Sequence, residues 1–231
     1  MMKIVILTGA GMSAESGLTT FRDSGGLWEG YDVMEVASVY GWQNDPDKVL
    51  RFYNERRKQA LNAVPNKGHK ALAQLEDYFN VSVITQNVDK LHEKAGSTNV
   101  IHLHGEIDKA RSSVDPDLIY NIGDSDIKLG DLCEKGSQLR PHIVWFGEIV
   151  PMMETAIKVA KKADIFIVIG TSLVVYPAAG LLEYVSDDTQ VYIIDPAKPD
   201  IQIKQNYHFV GNSAAKGTPE LVQELIKEID T

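Results

Sequence analysis

Short apolar runs bounded by turn residues recur along the chain: "KIVILTG", "NVSVITQN", "NVIHLHG", "DIFIVIGTS" and "QVYIIDP". They are rich in β-branched residues, and several are apolar on both faces, as parallel strands covered by helices on each side would be. Helical patterns lie between them, over 68–78, 152–162, 178–184 and 218–229. Strands alternating with helices predict a doubly wound α/β fold with a parallel sheet. Two stretches break the alternation. Within 24–65, "DPDKVLRFYNERRKQALNAV" reads as a helix with Asp45 as N-cap before Pro46. Residues 107–139 are polar, with weak periodicity. Both are expected to be insertions that build a smaller module. The expected partition is a sheet domain of 1–29, 66–106 and 139–231, with a small module of 30–65 and 107–138.

A length of 231 residues suits one large α/β domain, or one carrying a small insert. The net charge of −9 argues against the phosphate-backbone electrostatics of nucleic-acid binding. The short basic clusters "RRK" (residues 56–58) and "KVAKK" (residues 158–162) read as solvated helix faces. No stretch is long and apolar enough to span a bilayer. The apolar N-terminal run has a strand's length and leads into a glycine turn, not a cleavage site, so a cytoplasmic protein is expected. The lone cysteine, Cys133, rules out an intrachain disulfide. No surface stripe points to an oligomer, and a monomer is the expected state.

Gly9-Ala10-Gly11-Met12-Ser13-Ala14 matches G-x-G-x-x-G/A directly after the first strand. Such glycines permit a tight turn and close backbone approach, and the helix N-terminus that follows favours a pyrophosphate. The plain alternative is a glycine-rich turn with no ligand. A standard dinucleotide unit would continue into a second strand ending in Asp or Glu. Here the chain runs into the loop-like "TTFRDSGGLWEG".

Taken together, "GAGMSAESGLTTFR", "GLW", "TQNVDKLHEKAG", "HLHGE", "LRPHIVWFGE" and "GTSLVVYPAAGL" resemble the sirtuins, and they occur in that family's order. The resemblance implies a Rossmann-like domain with a smaller module beside it. It also implies NAD-dependent removal of acyl groups from lysine side chains of proteins, with nicotinamide, free lysine and an O-acyl ADP-ribose as products. By this resemblance Gly9, Ala10, Gly11 and Ser13 form the turn at the pyrophosphate. Phe21 and Arg22 lie over the reactive ribose, and Gln86 contacts it. Asn87 and Asp89 line the nicotinamide pocket, and Asn87 and His104 are the catalytic pair, with His104 the general base. Histidine suits deprotonation of a ribose hydroxyl because its ordinary pKa of about 6.5 lies near neutral pH. Gly170, Thr171 and Ser172 meet the phosphates and adjacent ribose. Asp195 contacts the adenosine ribose, and the backbone near Ala215 contacts adenine. Val144, Phe146 and Gly147 on one side, and Val174 and Tyr176 on the other, sandwich an extended substrate peptide as an added strand.

Two departures from the family pattern carry information. Most sirtuins hold a structural zinc through two CxxC pairs. Here the matching interval, 107–138, keeps Cys133 alone, with Gly136 in its partner's place and no histidine. A structural site needs four ligands, so no metal is expected. Second, Tyr53 and Arg56 are neighbours on one helix face and resemble the Tyr-x-x-Arg of class III sirtuins, which remove succinyl, malonyl and glutaryl groups. Ala37 falls where that class has a small residue opening the acyl pocket. A guanidinium and a phenol suit a succinyl carboxylate, so acidic acyl groups are expected to be preferred, with acetyl-lysine also a substrate. A smaller departure is Asp195 itself, where asparagine is commoner; its carboxylate would disfavour a 2′-phosphate, favouring NAD.

Plainer readings stand beside these. His102 and His104, two apart on an expected strand, would share a face and suggest a metal pair, but with one cysteine and no HExxH the metal reading ranks below a catalytic His104. His102 reads as a core or cleft histidine with a backbone partner. Apart from the resemblance, Asp89 reads first as a cap for the helix that starts "KLHEKAG". Alternatives for the whole chain are a general deacetylase, a mono-ADP-ribosyltransferase, an NAD-dependent oxidoreductase and a non-catalytic NAD or ADP-ribose sensor.

Overall fold

The computed structural model describes residues 1–19, 27–28, 30–202 and 204–229. Strand β1 (Lys3–Thr8) feeds helix α1 (Ala10–Ala14), and a two-residue ladder of β2 (Leu27–Trp28) with β3 (Tyr31–Asp32) leads to α2 (Val33–Val36), α3 (Val39–Asn44) and the long α4 (Pro46–Asn62). The chain continues through α5 (Lys67–Gln74), β4 (Asn80–Thr85), α6 (Leu91–Ala95) and β5 (Val100–His102). Next come β6 (Gly105–Ser112), β7 (Ile119–Asn121) and β8 (Leu139–Ile143). The last elements are α7 (Met153–Ala160), β9 (Ile165–Ile169), β10 (Gln190–Ile194), β11 (Tyr207–Val210) and α8 (Ala214–Ile229).

The six-stranded sheet has the order β11-β10-β9-β1-β4-β5 with every neighbouring pair parallel. This is the doubly wound order of dinucleotide-binding domains, and it reverses between β1 and β9. The sheet is buried on both faces. Val5, Leu7, Phe166 and Val168 pack with Ala156 and Ala160 of α7. The alternate residues Ile4, Ile6, Ile165 and Ile167 pack with Leu72 of α5 and Leu221 and Leu225 of α8. Two-sided burial is why these strands read as unbroken apolar runs. Each such Ile or Leu contributes about 1.5–3 kcal/mol by leaving water.

Helix α4 starts as its sequence dictates: the Asp45 side chain accepts from the Lys48 N–H at 2.9 Å, and Pro46 opens the first turn. Its inner face places Phe52 and Tyr53 with Trp28, Val36 and Trp145 in a separate cluster. The expected solvated face at "RRK" is corrected here. Lys58 is exposed, but Arg57 is fully buried. Arg57 donates to the carbonyls of Ile107 (2.8 Å) and Ser125 (3.1 Å) and to Asn54 Oδ1 (2.7 Å). Asn54 in turn exchanges two hydrogen bonds with the Ile127 backbone, at 2.9 and 3.0 Å. Four backbone groups outside the helix therefore find partners in two α4 side chains.

Other differences from the sequence reading have local causes. The polar stretch 107–139 is not structureless, because β6 pairs antiparallel with β7 and β8. That sheet draws residues from both sides of the expected boundaries at 106–107 and 138–139, since β6 starts at Gly105 and β8 ends at Ile143. The strand expected through "NVIHLHG" stops at His102, where the chain turns into β6 through Gly105 at φ +83°; His104 lies in that turn. Residues 178–184 form 3-10 turns and not an α-helix. Helix α8 starts four residues before the expected 218 because Glu15 satisfies its first turn, accepting from the Ser213 hydroxyl at 3.1 Å and the Ala215 N–H at 2.9 Å. Strand β11 has no counterpart in the sequence reading. Among the described residues no helix is long and apolar enough to cross a membrane.

Candidate active site

A cleft of about 460 Å³ opens at the carboxyl ends of the central strands, where α/β sheets bind ligands at the strand-order reversal. Its floor is the crossing of two backbones. Gly9 N–H donates to Ile169 O at 3.0 Å, and Gly11 N–H to Gly170 O at 2.9 Å. A Cβ on Gly9 would lie 2.7 Å from Thr171 Cβ, and one on Gly11 would lie 2.8 Å from Gly170 Cα. The glycine motif is thus explained first by close approach of β1 to β9. Gly11 spends its N–H on Gly170 O and still lines the cleft. Gly11→Ala should cost about 1–3 kcal/mol by overpacking, lowering Tm by roughly 2–4 °C per kcal/mol, and should weaken NAD binding. Calorimetric unfolding and titration would check both.

The loop after β4 carries the next group. Asn87 donates both amide hydrogens, to Gly9 O at 2.9 Å and Ser13 Oγ at 3.0 Å. Its side-chain oxygen is left as an acceptor. Ser13 Oγ then donates to Asp89 Oδ2 at 2.9 Å, while Asp89 Oδ1 accepts from the Leu91 N–H at 3.0 Å. Asp89 therefore both caps the turn into α6 and lines the cleft. Burial pushes its carboxyl up, against the hydrogen bonds from Leu91 and Ser13 that pull it down.

His104 Nδ1 lies 3.0 Å from Gln86 O. A carbonyl can only accept, so Nδ1 carries the hydrogen and neutral His104 keeps its lone pair on Nε2. Burial pushes the imidazole below its ordinary value, and the Gln86 hydrogen bond only partly opposes this. The result is a neutral imidazole in the cleft at pH 7, the state a general base requires. Gln86 Nε2 reaches Thr171 Oγ1 at 3.3 Å, joining the loops after β4 and β9. His102 does not share His104's surroundings: its ring bonds Asn87 O at 3.1 Å and Glu93 Oε1 at 2.7 Å. The two histidines form no metal pair, and among the described residues no group of three or more His, Cys, Asp or Glu could hold a metal ion.

Ala37, Tyr53 and Arg56 line the same cleft. The Tyr53 hydroxyl accepts from Trp145 Nε1 at 3.1 Å, so its own hydrogen remains for another acceptor. Burial raises the phenol, keeping it protonated. Arg56 lies over the Trp28 ring at 4.9 Å, with Nη1 donating to Thr19 Oγ1 (3.1 Å) and Gln59 Oε1 (3.3 Å). Trp145 is itself fixed: Arg140 stacks on its ring at 3.3 Å, and Glu148 accepts from its N–H at 2.8 Å while pairing with Arg140 and Arg111.

The segments expected to sandwich a peptide differ in which backbone groups are already paired. Phe146 already uses both backbone groups, donating to Ala37 O (2.9 Å) and accepting from Val39 N–H (3.2 Å), and Val144 N–H donates to His104 O at 2.9 Å. Val144, Phe146 and Tyr176 line the cleft; Gly147 and Val174 lie outside its lining. Among the described residues the backbones of Gly147, Val174 and Tyr176 make no hydrogen bond, so an added strand would have to pair there.

Ala10, Gly170, Ser172 and Asp195 also line the cleft, with Asp195 buried at the end of β10. Ala215 does not; its N–H is held by Glu15, and Ser213 and Ala214 line the wall instead. Phe21 and Arg22 lie outside the described residues. The sequence reading missed Glu15, Leu18, Thr19, Trp28 and Val88 as lining groups. All five lie inside the blocks that carry the resemblance, Glu15, Leu18 and Thr19 in "GAGMSAESGLTTFR", Trp28 in "GLW" and Val88 in "TQNVDKLHEKAG".

A model of the Sir2 family matches residues 9–177. A relative from Bacteroides thetaiotaomicron named NAD-dependent protein deacylase is 54% identical, over 98% of this chain and 99% of its own. A relative from Helicobacter pylori with the same name is 53% identical, over 98% and 99%. Among solved structures, a Sir2 homologue in complex with NAD superposes with a TM-score of 0.89 at 40% identity, covering 98% of this chain and 90% of that one. A Sir2 protein bound to a propionylated peptide superposes with a TM-score of 0.78 at 32% identity, covering 97% and 92%. The chain belongs to the Sir2 family.

Proposed function

We propose that the protein is an NAD-dependent protein-lysine deacylase that transfers the acyl group to ADP-ribose, prefers succinyl- and malonyl-lysine, and also acts on acetyl-lysine. The observation that carries this is one cleft lined by His104, whose Nδ1 is bonded to Gln86 O, by Asn87 and Asp89, and by Tyr53 and Arg56. The strand-order reversal, with backbones too close for any Cβ at Gly9 or Gly11, fits a dinucleotide. Gly9, Ala10, Gly170, Thr171, Ser172 and Asp195 would hold NAD. When bound, NAD supplies the sugar carbon that takes the acyl oxygen and the nicotinamide that leaves. His104 Nε2 takes the proton of a ribose hydroxyl, and the Gln86 carbonyl steadies the imidazolium so formed. Asn87 Oδ1 and Asp89 offer acceptors to the carboxamide. Trp28 and Trp145 help exclude water from the acyl end.

Mass spectrometry of matched succinyl-lysine and acetyl-lysine peptides incubated with NAD tests this. Nicotinamide release with loss of the acyl group, faster from the succinyl peptide, is expected. NAD binding without release would indicate a sensor, and a change in reduced-nicotinamide absorbance an oxidoreductase.

We further infer that the small module, residues 30–65 and 107–138 with the ends of β6 and β8, is held by packing and the α4 side chains without zinc. Cys133 Sγ sits 3.0 Å from Ser137 Oγ, which bonds Ser112 Oγ at 2.7 Å. Metal analysis should find no stoichiometric zinc, and chelator should leave Tm unchanged. Arg57→Ala should destabilise by on the order of 3 kcal/mol, since buried acceptors lose their donor.

A further inference from the structure

Three successive carbonyls of the loop after β4 are held by the 102–107 segment: Gln86 O by His104, Asn87 O by His102, and Val88 O by the Ile107 N–H at 2.8 Å. The middle one differs in kind. His102 Nδ1 faces a carbonyl and must donate. Its Nε2 faces the Glu93 carboxylate at 2.7 Å and must donate as well. An imidazole bonded this way at both nitrogens is an imidazolium. Its side chain is 8% exposed. Glu93 needs it in turn, because Glu93 Oε2 is buried with no hydrogen-bond partner among the described residues, and a carboxylate so placed needs a cation beside it.

We propose that His102, clamped between Glu93 and the Asn87 carbonyl, is a positioning residue that holds the nicotinamide-pocket loop in its working shape as an imidazolium. It does not line the cleft; it acts through Asn87. The inference rests on the deacylase reading of that loop. The groups facing His102 agree on its charge. Glu93 and His92 come from α6, Asp89 from the turn before it, and Glu106 from β6. Three are carboxyl groups. The fourth, His92, is kept neutral by burial first and by its histidine neighbours second. Burial pushes His102 down, but the Glu93 hydrogen bond and charge, the Asn87 carbonyl and Glu106 outweigh it, so the group is raised above its ordinary value. As pH rises through that raised value, one ring nitrogen loses its hydrogen, and either the Glu93 pair or the grip on Asn87 goes. His104, shifted the opposite way, fails as pH falls. Two histidines two positions apart would then bound activity from opposite sides.

The test is kcat/KM for NAD against pH, with a fixed acyl peptide, for wild type, Glu93→Gln and His102→Asn, with Tm recorded for each. Side-chain nitrogen shifts of His102 would be followed by NMR across the same range. Wild type should lose activity on the alkaline side. Glu93→Gln keeps an acceptor without charge, and should move that limb down by about one pH unit or more. His102→Asn offers an amide N–H in place of Nδ1 but cannot titrate, and should abolish the limb. His102→Ala should lower kcat on the order of tenfold to a hundredfold, with KM for the acyl peptide unchanged. A role in folding alone would lower Tm without moving the limb. An unmoved alkaline limb in both Glu93→Gln and His102→Asn, or a neutral His102 by NMR at pH 7, overturns the proposal. Absence of turnover in wild type would count against the deacylase reading instead, and the NMR titration would then decide the charge of His102 by itself.

Discussion

His104→Ala is expected to abolish turnover of succinyl and acetyl peptides alike, with kcat falling about 10²- to 10⁴-fold, while NAD still binds. The side chain holds no backbone crossing together: among the described residues its one bond is to Gln86 O at 3.0 Å, and Gln86 N–H and its side chain are anchored separately, to Thr8 O and Thr171 Oγ1. Removing the imidazole therefore deletes the proposed proton acceptor and leaves the cradle standing. Quench-flow or discontinuous mass spectrometry would measure turnover, and calorimetric titration with NAD would measure binding. The pH dependence carries a second signature. Burial lowers the His104 pKa, so its basic form is present above that value and is lost as pH falls through it. The acid limb of kcat/KM in wild type should thus lie below the ordinary histidine value of about 6.5. A limb above that value, or residual turnover within tenfold of wild type in His104→Ala, would remove His104 as the base.

Much of the parallel sheet could be read from the chain because two-sided burial leaves uninterrupted β-branched runs such as "KIVILTG" and "DIFIVIGTS". The small sheet could not. β6 has only Ile107 and Ala110 as apolar side chains, with the alternation broken at Asp108-Lys109, and β7 has three residues with exposed ends, so the period-2 signal there is too weak to separate a strand from a loop. The glycine turn was read for a phosphate, yet what its second glycine meets first is Gly170, brought beside it by the strand-order reversal. Of the residues that the family's ordered blocks pointed to, the cleft gathers Ala10, Gln86, Asn87, Asp89, His104 and Thr171 among others, while Gly147 and Val174 stand outside its lining. What pattern reading could not supply was the pairing between distant side chains: Arg57 with the carbonyls of Ile107 and Ser125, Glu15 with Ala215, and His102 with Glu93. Each depends on where two segments meet, and a run such as "RRK" looks the same whether its middle residue is solvated or fully buried.

Arg56→Met is expected to lower kcat/KM for the succinyl peptide about ten- to a hundredfold and to leave the acetyl peptide within roughly threefold, so that the preference is lost or inverted. A charge-assisted hydrogen bond contributes about 1.5–3 kcal/mol, and 1.4 kcal/mol is a factor of ten in rate or affinity. Arg56 is placed for it: the guanidinium rests over Trp28 at 4.9 Å, and Nη1 is steered by Thr19 and Gln59. A carboxylate is a stronger acceptor than either a threonine hydroxyl or an amide oxygen, so an acidic acyl chain would draw the fork inward. Tyr53 adds the second contact. Its phenol is protonated because burial raises it, and Trp145 donates to its oxygen, so the remaining hydrogen points to whatever acceptor enters. Tyr53→Phe should cost the succinyl peptide about 1 kcal/mol and the acetyl peptide little. An acetyl group presents no carboxylate, so its rate reports only the shared machinery of His104 and Asn87. Paired turnover of the two peptides by each variant separates the outcomes. Equal losses for both peptides would place Arg56 in general packing of the cleft mouth, and no loss for either would make Tyr53 and Arg56 bystanders and the protein a deacetylase of broad acyl tolerance.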